Sequence, residues 1–123
     1  MINKAASLVS IVEDDESVRE ATSSLIRAEG FRTECFASAA EFLNSAHIAA
    51  TKCLVLDLEM PGMSGLELQR ALAKENRRIP NIFITAHASP ESREKAMRAG
   101  ASDFLPKPLS AEALLGAIHK ALT

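Results

Sequence analysis

Five short apolar segments, each bounded by turn-forming residues, alternate along this chain with amphipathic stretches. The segments are residues 8–12, 31–36, 53–58, 81–85 and 101–105. Apolar runs of this length favour buried strands, whereas the stretches between them repeat at the spacing of a helix. Five such strand–helix units predict a mostly parallel sheet with right-handed crossovers and helices on both faces. The pattern therefore predicts a doubly wound α/β domain, in which ligands bind beyond the carboxyl ends of the strands.

The predicted helices have recognisable beginnings, ends and buried faces. Ser38 and Ser64 are each followed three places later by a glutamate, as in a capping box, and Ser89 precedes a proline that is typical of a helix start. Gly30 and Gly100 stand where a helix can end in a left-handed residue. The apolar faces of the first and last helices are predicted from Val18, Ala21, Leu25 and Ile26, and from Leu114, Leu115, Ile118 and Leu122.

Length and composition indicate one compact domain, residues 1–123. The chain is 47% hydrophobic, enough for a single core. Its 16 acidic and 14 basic residues form no basic stripe, so we expect no direct nucleic-acid binding. No segment resembles a signal peptide or a membrane span, so we expect a cytoplasmic protein without membrane contact. Cys35 and Cys53 lack metal-site spacing and are predicted to be reduced, buried thiols.

Acidic residues follow the first predicted strand and interrupt the third. Residues 13–16 are all acidic, and the dipole of the following helix is one explanation for them. Asp57 lies inside an apolar run, where a carboxylate is costly without compensation. If the sheet brings these strands together, Glu13, Asp14 and Asp57 converge and repel one another. A divalent cation between them resolves this conflict.

An oxygen-only pocket without histidine or thiol suits Mg²⁺, which pairs with phosphate in many protein sites. Asp57 is then the candidate nucleophile, since a carboxylate can form an acyl phosphate when a cation neutralises the incoming oxygens. Thr85 ends strand four and Lys107 follows strand five. Alone, a strand-end threonine is usually a local turn donor and a lysine is usually solvated. Together with the acids, the hydroxyl and the ammonium predict a site for a bound phosphoryl group.

The order of these motifs along the whole chain resembles that of CheY-like receiver domains of response regulators. The resemblance rests on residues 12–16 (Val-Glu-Asp-Asp-Glu), 56–65 (Leu-Asp-Leu-Glu-Met-Pro-Gly-Met-Ser-Gly), 85–86 (Thr-Ala) and 104–108 (Phe-Leu-Pro-Lys-Pro). It implies a flavodoxin-like (βα)5 fold with strand order 2-1-3-4-5. It also implies a two-component phosphorelay, in which Asp57 accepts a phosphoryl group from a histidine kinase or phosphotransfer protein. Such a chain is a signalling domain and not an enzyme with a separate substrate.

The same resemblance assigns the metal ligands. Glu13, Asp14 and Asp57 would hold Mg²⁺ together with the backbone carbonyl of Glu59. Glu13 is longer than the aspartate that the family also carries at its position, so direct contact and contact through water both remain open. Asp15 is one place beyond the acidic pair, and we expect it to cap a helix.

The resemblance also assigns a switch. Thr85 would be the switch hydroxyl, Lys107 the phosphoryl partner and Phe104 the aromatic ring that changes rotamer when Thr85 moves. The peptide bond after Lys107 would be cis. Glu59 and His87 occupy positions that influence phosphoryl lifetime in the family, although a solvated loop imidazole is the alternative for His87. The face around helix four and strand five would then be read by an output domain or a partner protein.

Residues 84–88 and 96–104 are most like the FixJ-type subgroup, whose members usually carry a C-terminal DNA-binding domain. Because the chain ends at Thr123, a single-domain regulator and an excised receiver both remain open, as does homodimerisation on phosphorylation.

Three other functions compete with this interpretation. A receiver-fold adaptor that signals without phosphorylation is the first. A phosphatase of the haloacid-dehalogenase type also phosphorylates an aspartate, but its signature is Asp-x-Asp on the first strand, and here the acceptor lies on the third. Nucleotide binding is disfavoured because no strand is followed by a glycine-rich phosphate loop.

Overall fold

The computed structural model describes residues 2–123, and its strands form one five-stranded parallel sheet. The strands are β1 Leu8–Val12, β2 Arg32–Phe36, β3 Thr51–Asp57, β4 Asn81–Thr85 and β5 Asp103–Pro106. They lie in the order β2-β1-β3-β4-β5, and every neighbouring pair is parallel. The predicted doubly wound, flavodoxin-like sheet with strand order 2-1-3-4-5 is therefore confirmed.

Helices cover both faces of the sheet. They are α1 Glu16–Ala28, α2 Ala39–Leu43, α3 Gly65–Lys74, α4 Pro90–Arg98 and α5 Ala111–Leu122, preceded by a short 3-10 turn at Lys4–Ala6. Successive residues of β3 face opposite ways: Val55 lies in one core with Ile118 of α5, and Leu56 lies in the other with Leu68 of α3. Helix α1 joins the first core, and α2 and α4 join the second. Within residues 2–123, no helix has the length and apolarity needed to cross a bilayer.

Serine side chains begin three of the helices at the predicted positions. The Ser64 hydroxyl accepts a hydrogen bond from the Glu67 N–H at 3.2 Å, and the Glu67 carboxylate accepts one from the Ser64 N–H at 3.1 Å. This completes the predicted capping box of α3. At α2 the structure shows the serine half of the box, in which Ser38 accepts from the Glu41 N–H. Ser89 caps α4 by accepting from the backbone N–H three residues later.

Two strands begin later than predicted because the preceding helix ends in a left-handed glycine. Gly30 and Gly100 have φ values of 106° and 104°. The Phe31 N–H then donates back to the Ile26 carbonyl at 3.4 Å, and the Ala101 N–H donates to the Ala96 carbonyl of α4 at 3.1 Å. The N–H groups of residues 31 and 101 thus complete the C-terminal caps of α1 and α4, so β2 and β5 begin after them. Strand β3 spans residues 51–57 and not 53–58, because residue 51 already pairs with β1.

The buried face of α1 differs from the prediction at one position. Val18, Leu25 and Ile26 pack against the core as predicted, but Ala21 is exposed. Thr22 is buried in its place. The Thr22 hydroxyl donates to the Val18 carbonyl at 2.7 Å, so its burial leaves no unpaired donor.

The two cysteines differ in exposure. Cys53 is buried in the central strand β3, and this burial raises the pKa of its thiol to about 12, so the thiol is unreactive. Cys35 is exposed on β2, an edge strand in which only Phe36 is buried. The prediction of a buried thiol is confirmed for Cys53 and wrong for Cys35.

Gly65 begins α3 directly behind the end of β3, where two backbone segments touch. Its N–H donates to the Leu58 carbonyl at 3.1 Å. A Cβ atom added at Gly65 would lie 2.5 Å from the Asp57 carbonyl oxygen and 2.9 Å from the Phe83 ring. Because the first of these atoms is backbone, it cannot move aside without displacing residue 57. The absence of a side chain is therefore what lets α3 approach this strand end.

We expect Gly65→Ala to lower the free energy of unfolding by about 1–3 kcal/mol, as overpacking does. Gly116 in α5 is the matched control, because nothing lies within 4 Å of a Cβ added there. Gly116→Ala should raise the free energy of unfolding by about 0.5–1 kcal/mol through helix propensity. Urea unfolding followed by circular dichroism measures both. Equal changes in the two variants would show that the contact at Gly65 imposes no constraint.

Candidate functional site

The carboxyl ends of four strands meet at one edge of the sheet. Parallel pairing aligns the last residues of β1, β3, β4 and β5. Each of these strands ends in, or is followed by, one polar residue that the sequence pattern singled out. These residues are Glu13, Asp57, Thr85 and Lys107.

Glu13, Asp14 and Asp57 form a cluster of carboxylates. Each offers one oxygen, and these oxygens all lie within 4.8 Å of one another. Glu13 is 0% and Asp57 is 4% exposed, whereas Asp14 is exposed. Two buried like charges beside a third are unfavourable without a cation, and an all-oxygen donor set fits Mg²⁺. The residues predicted to hold the metal therefore suit it, while the further ligand, the Glu59 carbonyl, stays a prediction.

The Lys107 ammonium lies between the two buried carboxylates. Its Nζ is 2.7 Å from Glu13 Oε1 and donates a hydrogen bond to Asp57 Oδ2 at 3.1 Å. The contact with Glu13 is an ion pair without hydrogen-bond geometry, so Oε1 has no hydrogen-bond partner among the described residues. Burial raises the pKa of the Glu13 carboxyl to about 7, although Lys107 acts in the opposite direction. Burial also opposes the charge on Lys107, but its contacts with the Glu13 and Asp57 carboxylates prevail and raise its pKa.

The Thr85 hydroxyl is bonded to a neighbour of the acceptor position and not to Asp57. Thr85 is fully buried, and its Oγ1 donates to Glu59 Oε1 at 2.5 Å. The same oxygen accepts a hydrogen bond from the His87 N–H at 3.0 Å, while the His87 residue is exposed. The Glu59 N–H in turn donates to Asp57 Oδ1 at 3.1 Å. The two positions predicted to tune the site therefore both contact the Thr85 hydroxyl, whose switch role stays a prediction.

A family profile shows what kind of domain carries this site. The profile described as response regulator receiver domain matches residues 9–119, a span that contains every site residue named above. This chain is a response regulator receiver domain. The family predicted from the motifs is thus confirmed, and with it a place in two-component signalling. The predicted extent of the receiver domain, residues 1–123, stays a prediction.

Curated relatives of this receiver domain are roughly twice its length. Response regulator protein TmoT of Ectopseudomonas mendocina is 50% identical over 121 residues, which are 98% of this chain and 55% of the relative. Transcriptional regulatory protein FixJ of Rhizobium meliloti is 40% identical over 113 residues, which are 92% of this chain and 55% of the relative. The chain therefore spans about half the length of the curated relatives it matches.

Solved structures show the same receiver fold. The crystal structure of FixJ-N matches with a TM-score of 0.84 and 38% identity, over 94% of this chain and 93% of that one. The low-resolution structure of response regulator StyR matches with a TM-score of 0.87 and 47% identity, over 96% of this chain and 60% of that one. The predicted resemblance to FixJ-type receivers is therefore confirmed.

Phe104, the aromatic residue predicted to act in a switch, lies on β5. Phe104 is 5% exposed and packs in the core shared by α3 and α4. The ring is thus already inside in this conformation, and its predicted change of rotamer stays a prediction. The peptide bond after Lys107 is cis, as predicted. The Lys107 N–H donates to the Thr85 carbonyl at 2.8 Å, which fixes the ammonium-bearing loop to the end of β4.

Asp15 caps α1, as predicted. Its carboxylate accepts a hydrogen bond from the Val18 N–H at 3.2 Å. We expect Asp15→Ala to lower the free energy of unfolding by about 1 kcal/mol, because the N–H loses its partner. Asp15→Ser keeps an acceptor and should leave stability nearly unchanged. Urea unfolding compares the two variants, and an equal loss in both would assign the effect to the charge and not to the cap.

Sequence reasoning missed three contacts in the receiver site. It assigned Lys107 to a phosphoryl group but did not foresee its ion pair with Glu13, and it did not foresee the Thr85–Glu59 hydrogen bond. The Arg19 guanidinium, which donates to the Glu13 carbonyl at 2.9 Å, was also unforeseen. Shared position at one sheet edge was the available signal for the first two. No motif marked Arg19, which reaches the site from the first turn of α1.

Proposed function

We propose that this receiver domain accepts a phosphoryl group on Asp57 from a phosphohistidine of a sensor kinase or phosphotransfer protein. One observation carries the proposal: a nearly buried carboxylate stands within 3.1 Å of a lysine ammonium and within 4.8 Å of two further carboxylates. Such a pocket suits a divalent cation and an anionic group together.

The transfer is a displacement at phosphorus. An Asp57 carboxylate oxygen forms the new P–O bond while the P–N bond of the donor breaks, and the electron pair leaves with the imidazole. Lys107 Nζ already bonds Asp57 Oδ2, so its ammonium is in reach of an oxygen of the arriving group. The domain thus promotes its own phosphorylation and dephosphorylation, and we do not assign it an enzyme activity on another substrate.

Glu13, Asp14 and Asp57, with the Glu59 backbone carbonyl, would hold Mg²⁺. When bound, Mg²⁺ supplies positive charge that neutralises the phosphoryl oxygens. The protein's own part is to hold these carboxylates together. The Glu13 N–H donates to the Phe36 carbonyl at 3.0 Å, and the Asp15 N–H donates to Glu13 Oε2 at 3.2 Å. The first bond holds the backbone of Glu13 and the second holds its carboxylate.

Phosphorylation changes the face formed by α4 and β5 in this proposal. Thr85 moves toward the phosphoryl group, and Phe104 repacks against it. Arg93 of α4 donates to the Phe104 carbonyl at 3.3 Å, so movement at residue 104 reaches α4 directly. Among residues 2–123, Met97 of α4 is the exposed large hydrophobic side chain, at 38%. A cytoplasmic output domain or partner protein would read this face.

Intact-mass spectrometry after incubation with phosphoramidate, with Mg²⁺ or with EDTA, tests the proposal. We expect one phosphoryl adduct in Mg²⁺ and none in EDTA. Borohydride reduction followed by peptide mapping should locate the acyl phosphate at residue 57. If no adduct forms in Mg²⁺, the phosphoacceptor function is wrong, and a receiver-fold adaptor that signals without phosphorylation becomes the better explanation.

A further inference from the structure

The Thr85 hydroxyl donates its proton to Glu59, so this proton is not free for a hydrogen bond to a phosphoryl group on Asp57. A hydroxyl has one proton and donates to one acceptor at a time. Thr85 Oγ1 donates that proton to Glu59 Oε1, and a lone pair of Oγ1 accepts a hydrogen bond from the His87 N–H. A phosphoryl oxygen can therefore gain the Thr85 hydroxyl when Glu59 releases it.

The surroundings of Glu59 allow that release. Its N–H is tied to Asp57 Oδ1, which keeps the residue beside the acceptor, but the residue as a whole is exposed. The carboxylate can therefore turn into solvent. The Glu59 carboxylate is not among the oxygens of Glu13, Asp14 and Asp57 that lie within 4.8 Å of one another. The side chain is therefore separate from the proposed metal ligands, to which Glu59 contributes only its backbone carbonyl.

Charge supplies a reason for the release. An aspartyl phosphate carries about two negative charges near neutral pH, as other phosphoryl groups do. The Glu59 N–H is hydrogen-bonded to Asp57, the residue that would carry this charge. Like charges at short range repel, so the phosphoryl group would repel the Glu59 carboxylate. The Thr85 hydroxyl then has two possible acceptors. The phosphoryl oxygen is the stronger one, and the Glu59 carboxylate is repelled by the phosphoryl charge.

We propose that the Glu59 side chain is a positioning residue that holds the Thr85 hydroxyl in its unphosphorylated orientation and competes with the phosphoryl group for it. The proposal rests on the proposed function of Asp57 and adds the group against which phosphorylation works. It also gives the predicted tuning role of Glu59 a specific partner, the Thr85 proton.

Two uncharged replacements separate this competition from simple charge repulsion. Glu59→Gln keeps a carbonyl oxygen that can accept from Thr85, whereas Glu59→Met has similar size and no such acceptor. Beryllofluoride, a stable mimic of a phosphoryl group, is the probe. Its affinity in the presence of Mg²⁺ is measured by titration calorimetry on the wild type, on both variants and on both variants combined with Thr85→Val.

We expect Glu59→Met to bind beryllofluoride about fivefold more tightly than Glu59→Gln, since that is the typical worth of one neutral hydrogen bond. In the Thr85→Val background the two variants should bind equally. Equal affinities with Thr85 present would overturn the proposal. A difference that persists without the hydroxyl would also overturn it, because Glu59 would then act on the ligand directly.

A second measurement needs no phosphoryl mimic. The His87 N–H donates to Thr85 Oγ1, so its amide resonance reports the orientation of the hydroxyl. In the free protein this resonance should shift in Glu59→Met and stay near the wild-type position in Glu59→Gln. Matching positions in all three proteins would overturn the competition. Failure of the proposed function looks different: no protein in the series, wild type included, would bind beryllofluoride, whatever the His87 resonance shows.

Discussion

Asp57→Asn is expected to take up no phosphoryl group from phosphoramidate in Mg²⁺, where the wild type gains one. An amide is uncharged and a far weaker nucleophile than a carboxylate, and it also removes one of the buried oxygens that suit a cation. The protein should still fold, because the replacement removes a buried charge and keeps its shape. Intact-mass spectrometry with circular dichroism on the same samples checks both statements.

Asp103→Asn is the matched control for this result. Asp103 begins β5, at the opposite end of the strand from the acidic site, and its Oδ1 accepts a bond from the Phe104 N–H that an asparagine oxygen can also accept. This variant should be phosphorylated like the wild type. An undiminished adduct in Asp57→Asn would mean that another side chain is the acceptor.

Lys107→Met should lower the free energy of unfolding by about 3 kcal/mol without metal, the low end of the cost of breaking a buried ion pair. The Lys107 side chain is 18% exposed, but it faces Glu13 and Asp57 side chains that are 0% and 6% exposed. Methionine fills the same space and leaves both carboxylates without their cation. Glu13 then takes up a proton more readily, which limits the decrease in the free energy of unfolding.

The same variant should bind Mg²⁺ about tenfold more tightly than the wild type or better, because the ammonium no longer repels a second cation at short range. Thermal unfolding by circular dichroism and titration calorimetry with Mg²⁺ measure the two effects. Lys74→Met, at the exposed end of α3, is the control and should change neither. Weaker Mg²⁺ binding in Lys107→Met would show that the lysine assists the metal and does not compete with it.

Periodicity predicted the order of elements along the chain. The resemblance to receiver domains implied the strand order, and with it the residues that meet at the sheet edge. Residues such as Glu13 and Asp57 are far apart in the chain, yet the strand order alone brings them together. Partners within the site were less predictable. The Thr85–Glu59 bond depends on a side-chain rotamer, and a pattern of residue types carries no rotamer.

The late starts of β2 and β5 had a common physical origin. Phe31 and Ala101 are apolar and follow a glycine, so a period-based prediction assigns them to strands, whereas their N–H groups still serve the preceding helix. Cys35 was expected to be buried because its segment is apolar. The strand order implied by the resemblance already placed β2 at the edge of the sheet, but the prediction for Cys35 used only the composition of its segment.

The contrast between the two thiols determines how this protein can be observed. The chain contains no tryptophan and no tyrosine, so it has almost no ultraviolet fluorescence with which to follow ligand binding. A maleimide dye, however, can react with the exposed thiol of Cys35, whereas the thiol of Cys53 is buried in the core and does not react. The natural sequence therefore accepts a single fluorophore or spin label at a known place, and the receiver can be followed optically without engineering a cysteine into it.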